Sequence, residues 1–257
     1  MTSVYERVAD LVQNEDAAAI LTILRPDDLL GTRALVTGGA LEGSLGDSTA
    51  DEVALPTAQR LIREGQSRAV KITNAQGVEL EVFIDVYPAP PVLYIFGGVH
   101  VGVPLTKFAT LLGYRVKVID PRGVFATPER FADADELIIE HPDDYLPRAR
   151  FNENSAVVVL THEPRFDEPT LKAVLDTPAG YVGAIGSRAT NRARVERLRE
   201  QGVSDEKLAR IHSPIGLDIG SQAPEEIALA IIAEIVASRY GKTGASLKEK
   251  SGAFAGT

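Results

Sequence analysis

The chain has 257 residues, enough for two modest domains with separate cores, and its 44% hydrophobic and 25% charged content is that of an ordinary globular protein. Its 36 acidic and 27 basic side chains leave a formal charge of −9, which repels a nucleic-acid backbone or an anionic membrane surface and argues against either as a partner. The lack of cysteine excludes disulfides, thiolate nucleophiles and zinc–thiolate sites, and with 4 histidines no all-protein metal site is expected.

From the amino end, residues 1–10 lack the basic-then-apolar layout of a secretory leader, and no apolar run nears the roughly 20 residues of a membrane helix; a cytoplasmic location without a membrane span is expected. Residues 3–13 place Val4, Val8, Leu11 and Val12 at helical spacing, with Ser3 as N-cap and Glu6 completing a capping box. Strands are expected at 17–24 and, after the Pro26-Asp27-Asp28 turn, at 33–37, closed by Gly38-Gly39. Gly43, Gly46 and Asp47 mark a loop able to cradle a ligand, and Leu55, Leu61 and Ile62 carry a helix over 53–63. Residues 69–73 and 79–87 form a hairpin around Asn74-Ala75-Gln76-Gly77, with Val82, Ile84 and Val86 on one face. Pro88-Ala89-Pro90-Pro91 can continue neither a ladder nor a helix, so the boundary is placed there, between a smaller α+β domain over 1–88 and a second domain over 89–257.

Beyond the prolines, short and almost wholly apolar strands at 92–96, 115–119, 136–139, 156–160 and 181–185 alternate with helical stretches near 102–112, 167–175, 188–200 and 224–239. That alternation predicts an α/β domain with a parallel sheet covered on both faces, followed by a mobile Gly/Lys/Ala-rich tail from Gly241. Ligands of open α/β sheets bind beyond the carboxyl ends of the strands. The first such end is Gly97-Gly98-Val99-His100-Val101-Gly102, where a nucleotide fingerprint belongs, and Asp120 follows at nearly the spacing of an acid that reaches a ribose hydroxyl. Asp120-Pro121-Arg122 is the second end, Thr161-His162-Glu163 the third and Gly186-Ser187-Arg188 the fourth, with Arg188 adding charge at an anion site. A glycine-punctuated loop containing Gly216, Asp218 and Gly220 precedes Pro224-Glu225-Glu226, and a ligand accounts for it better than packing.

Each residue also has a plainer reading. The first loop can be a tight strand-to-helix turn with no ligand, although the position of Asp120 favours binding. His100 either packs or faces a ligand, and His162 is either a satisfied loop histidine or a hydrogen-bonding or proton-transfer group beside the crevice. Ser187 reads as a helix cap rather than a nucleophile, because no base neighbours it in sequence. Arg192, Arg194, Arg197 and Arg199 read as a solvated helix face, as do Asp133, Asp135, Asp143 and Asp144.

Phe96 to Gly102, Asp120 to Arg122, Glu129-Arg130-Phe131, Thr161-His162, Tyr181 to Arg188 and Pro214 to Ala230 resemble, in order and spacing, the C-terminal Rossmann domain of the xanthine dehydrogenase accessory proteins, XdhC or CoxI. The resemblance spans about two-thirds of the chain, and Gly31 to Val36 with Gly43-Ser44-Leu45-Gly46 is similar to the family's N-terminal domain. It implies a carrier without turnover of its own, which binds molybdenum cofactor (molybdopterin) and delivers it to a xanthine dehydrogenase-like molybdenum hydroxylase, with Arg122 and Arg188 meeting the phosphate. A homodimer is the expected assembly. The chain departs from the family at three places. Val99 replaces the middle glycine of Gly-x-Gly-His, so a Cβ holds a pyrophosphate away; NAD(P) is then the less favoured ligand, and glycine at 99 is expected to restore part of its binding. Asp120-Pro121-Arg122 replaces Asp-Asp-Arg, and Gly46-Asp47-Ser48 stands where the family has Gly-Gly-Cys. The rival readings are an NAD(P)-dependent oxidoreductase, which the fold permits, and a regulatory or assembly module that binds nothing.

Overall fold

The computed structural model describes residues 4–249; Ser3 and the end of the tail, 250–257, lie outside the described residues. The chain divides into two compact units, the first ending at Pro90 and the second beginning at Pro91.

The first unit runs α1 (Val4–Gln13), β1 (Ala18–Arg25), a 3-10 turn (Asp27–Leu29), β2 (Arg33–Thr37), β3 (Ala40–Gly43), α2 (Ser48–Glu64), β4 (Arg68–Thr73) and β5 (Glu79–Tyr87). Its strands form one antiparallel sheet in the order β3-β2-β1-β5-β4. Alternation along β1 sends Ala19, Leu21 and Ile23 to a core shared with Ala54, Ala58 and Leu61 of α2, and Ala18 and Ile20 to a smaller core with Val8 of α1. Strand β3 occupies the start of the expected ligand loop; its four residues are largely exposed and carry no hydrophobic alternation. The rest of that loop serves the fold. Asp51 accepts from Ser44 Oγ (2.7 Å) and Leu45 N (2.8 Å), while Asp47 caps α2 at Ala50 N (2.9 Å) and holds Ala75 N (3.2 Å). The cap also explains why α2 begins before residue 53.

The second unit contains β6 (Val92–Phe96), α3 (Gly102–Leu111), β7 (Arg115–Ile119), β8 (Glu136–Ile138), α4 (Pro142–Tyr145), β9 (Ser155–Val159), α5 (Pro164–Leu175), β10 (Tyr181–Ala184), α6 (Arg188–Glu200), α7 (Asp205–Leu208), β11 (Ile211–His212) and α8 (Pro224–Arg239). All six strands are parallel, in the order β11-β10-β9-β6-β7-β8. The chain starts in the middle, builds to one side with β7 and β8, then returns to build the other: this is the Rossmann order, with its switch point between β6 and β9. Both faces of the central strands β6, β9 and β10 are buried, which is why these read as apolar runs. Leu93, Ile95, Val116 and Val158 pack with Leu105 of α3 and Ile231 of α8 on one face. Tyr94, Phe96, Val157 and Val159 pack with Leu171 of α5 and Leu198 of α6 on the other. In the tail, Gly244 lies against Leu217, while residues 241–248 are exposed.

Candidate functional site

At the switch point the glycines of the first turn are explained by contacts within the chain. Gly97 has φ 117°, and a Cβ there would lie 2.7 Å from Thr161 Cγ2. A Cβ on Gly98 would lie 3.1 Å from Ala126 Cβ, and one on Gly102 3.3 Å from Gly97 O and 3.4 Å from the Phe131 ring. The turn is thus closed by the end of β9, by the segment after β7 and by α3 lying on its own strand. Val99 packs, half-buried, against the core, and His100 is exposed.

Asp120 and Arg122 sit where a ligand was expected to find them, but they are spent on the turn. Asp120 is buried; its Oδ2 accepts from Gly98 N (2.7 Å) and Arg122 Nη2 (2.8 Å), and its Oδ1 from Arg122 N and Nε (both 2.9 Å). Burial opposes its charge, yet the Arg122 guanidinium and the two backbone amides hold its pKa below the usual carboxylate value. Arg122 also donates to Glu163 Oε1 (3.0 Å) and lies over the Phe125 ring at 4.7 Å. Asp120 therefore offers no free carboxylate to a ribose, and the charge of Arg122 is already met by two carboxylates. The cavity bordered by Gly97, Asp120, Thr161 and Asp167 measures about 10 Å³, the room one water needs.

The ends of β9, β10 and β11 are joined by a buried polar network. Thr161 donates to Asp167, whose other oxygen accepts from Arg194 Nη2 at 3.0 Å. Burial pushes the Asp167 carboxyl above its ordinary value, and the Thr161 hydroxyl and Arg194 guanidinium offset only part of that rise. Arg194 is not on a solvated face: its side chain is 4% exposed, and Arg197 binds Glu168 at 2.6 Å. Helical spacing held the signal, since Asn191, Arg194 and Leu198 share the buried stripe of α6. His162 is exposed beside Thr161.

Ser187 caps α6 by accepting from Thr190 N (3.1 Å), and Asn191 Nδ2 holds the Gly186 carbonyl (3.2 Å). Arg188 and Arg192 project from the exposed side of α6 with no ion-pair or hydrogen-bond partner among the described residues. They border a groove of about 690 Å³, together with Asn191, Val195, Arg199 and Ser213, within the size range of small-molecule sites. Glu196 is the acidic residue of that lining, and Arg199 is paired with Asp205 at 2.7 Å. No helix among the described residues is long and apolar enough to cross a membrane.

Asp218 is exposed and does not border the groove. Its loop is packed: a Cβ on Gly216 would lie 3.2 Å from Ala230 Cβ, and Gly216 N donates to Glu234 Oε2 (2.8 Å). The same oxygen accepts from Tyr181 OH (2.5 Å), and Oε1 lies 3.3 Å from His212 Nδ1. Burial raises the Glu234 pKa, but these partners outweigh it and bring the group below its ordinary value. Sequence reasoning missed this cluster because 22 and 53 positions separate Glu234 from His212 and Tyr181, beyond any local pattern. The expected residues thus fall into three sets. Gly97, Gly98, Gly102, Asp120, Arg122 and Thr161 form one packed knot; Gly186, Ser187 and Arg188 lie at the start of the helix that walls the groove; His100, His162 and Asp218 are exposed apart from its lining.

Among known proteins, the chain is 33% identical over 158 residues to a Bacillus subtilis (strain 168) protein described as a probable xanthine dehydrogenase subunit, covering 62% of this chain and 46% of the relative. It is 31% identical over 91 residues to the molybdenum cofactor insertion chaperone PaoD of Escherichia coli (strain K12), covering 35% of this chain and 29% of PaoD. The chain spans less than half the length of the curated relatives it matches. A crystal structure described as a xanthine dehydrogenase from Bacillus halodurans superposes with a TM-score of 0.67 at 25% identity, covering 92% of this chain and 66% of that one. Residues 93–235 match the family model of the XdhC Rossmann domain. With more than half of its length in that match, the chain belongs to the XdhC family.

Proposed function

We propose that this chain is a cytoplasmic maturation factor that binds molybdenum cofactor of the molybdopterin type and delivers it to a xanthine dehydrogenase-like molybdenum hydroxylase. Family membership and the role that PaoD's name gives it support the class of function. The observation that carries the binding reading is the pair Arg188 and Arg192, two guanidinium groups with no ion-pair partner among the described residues, bordering a groove of about 690 Å³ whose one acidic lining residue is Glu196. A molybdopterin phosphate is an anion, and guanidinium forks and helix-start amides are the groups that receive one. Arg188, Arg192 and the first turn of α6 would hold the phosphate; the cofactor itself supplies molybdenum chemistry to the recipient enzyme. In this reading Arg122 belongs to the turn after β6 rather than to the anion site. The oxidoreductase reading is less favoured, because the amide that would receive a pyrophosphate, Gly98 N–H, is already given to Asp120.

The test is what co-purifies with the chain and what rebinds to it. Molybdenum and an oxidisable pterin in stoichiometric amount are expected, and calorimetry should show Arg188→Ala and Arg192→Ala each weakening cofactor binding by about 1–3 kcal/mol, the range for a lost charge-assisted hydrogen bond. Unchanged affinity in the double variant would remove the groove from the reading, and a co-purifying nicotinamide would put the dehydrogenase first.

A further inference from the structure

Arg194 is a buried cation set behind the groove wall, out of reach of any ligand in it. Its Nη2 donates to Asp167 Oδ2 and to Ile185 O, both at 3.0 Å, while Nη1 donates to Asn191 Oδ1 and, at 3.4 Å, to Ser213 Oγ. Each partner passes the connection on. Asp167 takes the Thr161 hydroxyl, Thr161 lies against Gly97, Asn191 holds the Gly186 carbonyl, and Ser213 Oγ donates to Ala184 O at 3.1 Å. One guanidinium therefore reaches the chain beyond β9, β10 and β11, and through Thr161 the turn after β6. Asn191 and Ser213 also line the groove, yet their oxygens face inward to Arg194.

Packing alone does not account for this arrangement. Burying a charge costs several kcal/mol of desolvation before any contact is made, and apolar residues of similar volume commonly serve stability as well. What a planar fork with five donors provides, and an apolar side chain does not, is a fixed angular relation among several acceptors. We infer that Arg194 is a positioning residue: from the interior it sets the Gly186–Ser187 bend and the Ser213 segment, and so the place of Arg188 and Arg192 on the groove. The purpose assigned to it rests on the groove as the cofactor site, but its structural action is testable without any cofactor.

The decisive comparison uses the full chain and hydrogen exchange at Ile185, Thr190, Asn191 and Ile215, whose amides are bonded to Val159 O, Ser187 Oγ, Ser187 O and Ala184 O. Arg194→Met combined with Asp167→Leu removes both charges together, so neither is left buried alone, and the melting temperature should fall less than with either single substitution. Exchange at those four amides should nevertheless rise about tenfold or more, with α8 unchanged. Arg194→Lys, which keeps a charge for Asp167 but lacks the fork, should loosen the same amides. Unchanged exchange at the four amides, or a uniform rise across the unit that follows lost stability, overturns the inference. Should the double variant fold poorly, Asn191→Ala decides: it leaves the ion pair intact and cuts the arm to Gly186, so faster exchange confined to Ile185, Thr190 and Asn191 supports positioning and its absence refutes it. Failure of the wild type to bind molybdopterin would defeat the groove reading and leave the exchange result standing.

Discussion

Replacing Val99 with glycine separates two accounts of the first turn. Residue order alone assigns the exclusion of a dinucleotide to the branched side chain, so that glycine should admit NAD or NADP. The geometry assigns the exclusion elsewhere: Gly98 N–H is bonded to Asp120 at 2.7 Å, Ala126 covers Gly98, and Thr161 covers Gly97. Val99 itself is half-buried against the core that includes Leu105 and Ile231. Full burial of a valine is worth about 1.5–3 kcal/mol, so half of it contributes about 0.8–1.5 kcal/mol. Glycine's extra backbone freedom adds about 0.5–1 kcal/mol, giving a total loss of about 1.3–2.5 kcal/mol. At roughly 2–4 °C per kcal/mol for a unit of this size, the melting temperature should fall by about 3–10 °C. Scanning calorimetry gives the melting temperature, and calorimetric titration of both proteins with NAD and NADP at one salt concentration gives the affinity. The expected result is a less stable protein with no tighter binding. A variant that gains more than tenfold in affinity for either dinucleotide would refute the reasoning.

Gly97→Ala should destabilise by about 2–5 kcal/mol in a denaturant titration, because a positive φ and a contact with Thr161 both penalise the new methyl. Arg122→Ala should cost about 3–5 kcal/mol by leaving Asp120 buried without its cation, while calorimetry finds cofactor affinity in the groove unchanged. Glu234 has a folded pKa below its ordinary 4.5, so it stabilises the fold above that value and the contribution is lost as the pH falls through the folded value. Glu234→Gln should accordingly flatten the acid limb of a stability–pH curve measured from pH 6 downward; a limb as steep as the wild type's would assign acid sensitivity to other carboxylates. Removal of residues 1–88 should leave a soluble remainder with one cooperative melting transition, and a molten or insoluble product would count against a boundary at the proline run.

The α/β fold was legible in the sequence where its signals are local. The limits of β6 follow from an apolar run, those of β7 from Val116, Val118 and Ile119 after the Gly113 turn, and those of α6 and α8 from Ser187 and Pro224 at their starts. Strands β3 and β11 were not legible: one is four largely exposed residues ending in glycine, with no hydrophobic alternation, the other has two residues, and both owe their existence to neighbouring strands. Helices α4 and α7, four residues each, are too short for periodicity to register. At the site, the sequence placed Asp120 and Arg122 at the correct strand end but carries no information on partners, and there the two groups consume one another. Arg192 and Arg194 show the same limit in another form. Two positions on a helix differ by about 200° in direction, so one arginine borders the groove and the other enters the interior.

The two ends of the parallel sheet are blunt. β8 has three residues and β11 has two, with Pro214 close behind and no amide hydrogen to offer there. Long, flat, unpaired strand edges are templates on which other chains add strands and polymerise, and short edges interrupted by proline are one way proteins suppress this. Backbone pairing is therefore a poor route for other polypeptides to join this sheet, and encounters with the unit fall to side chains on its helices and loops.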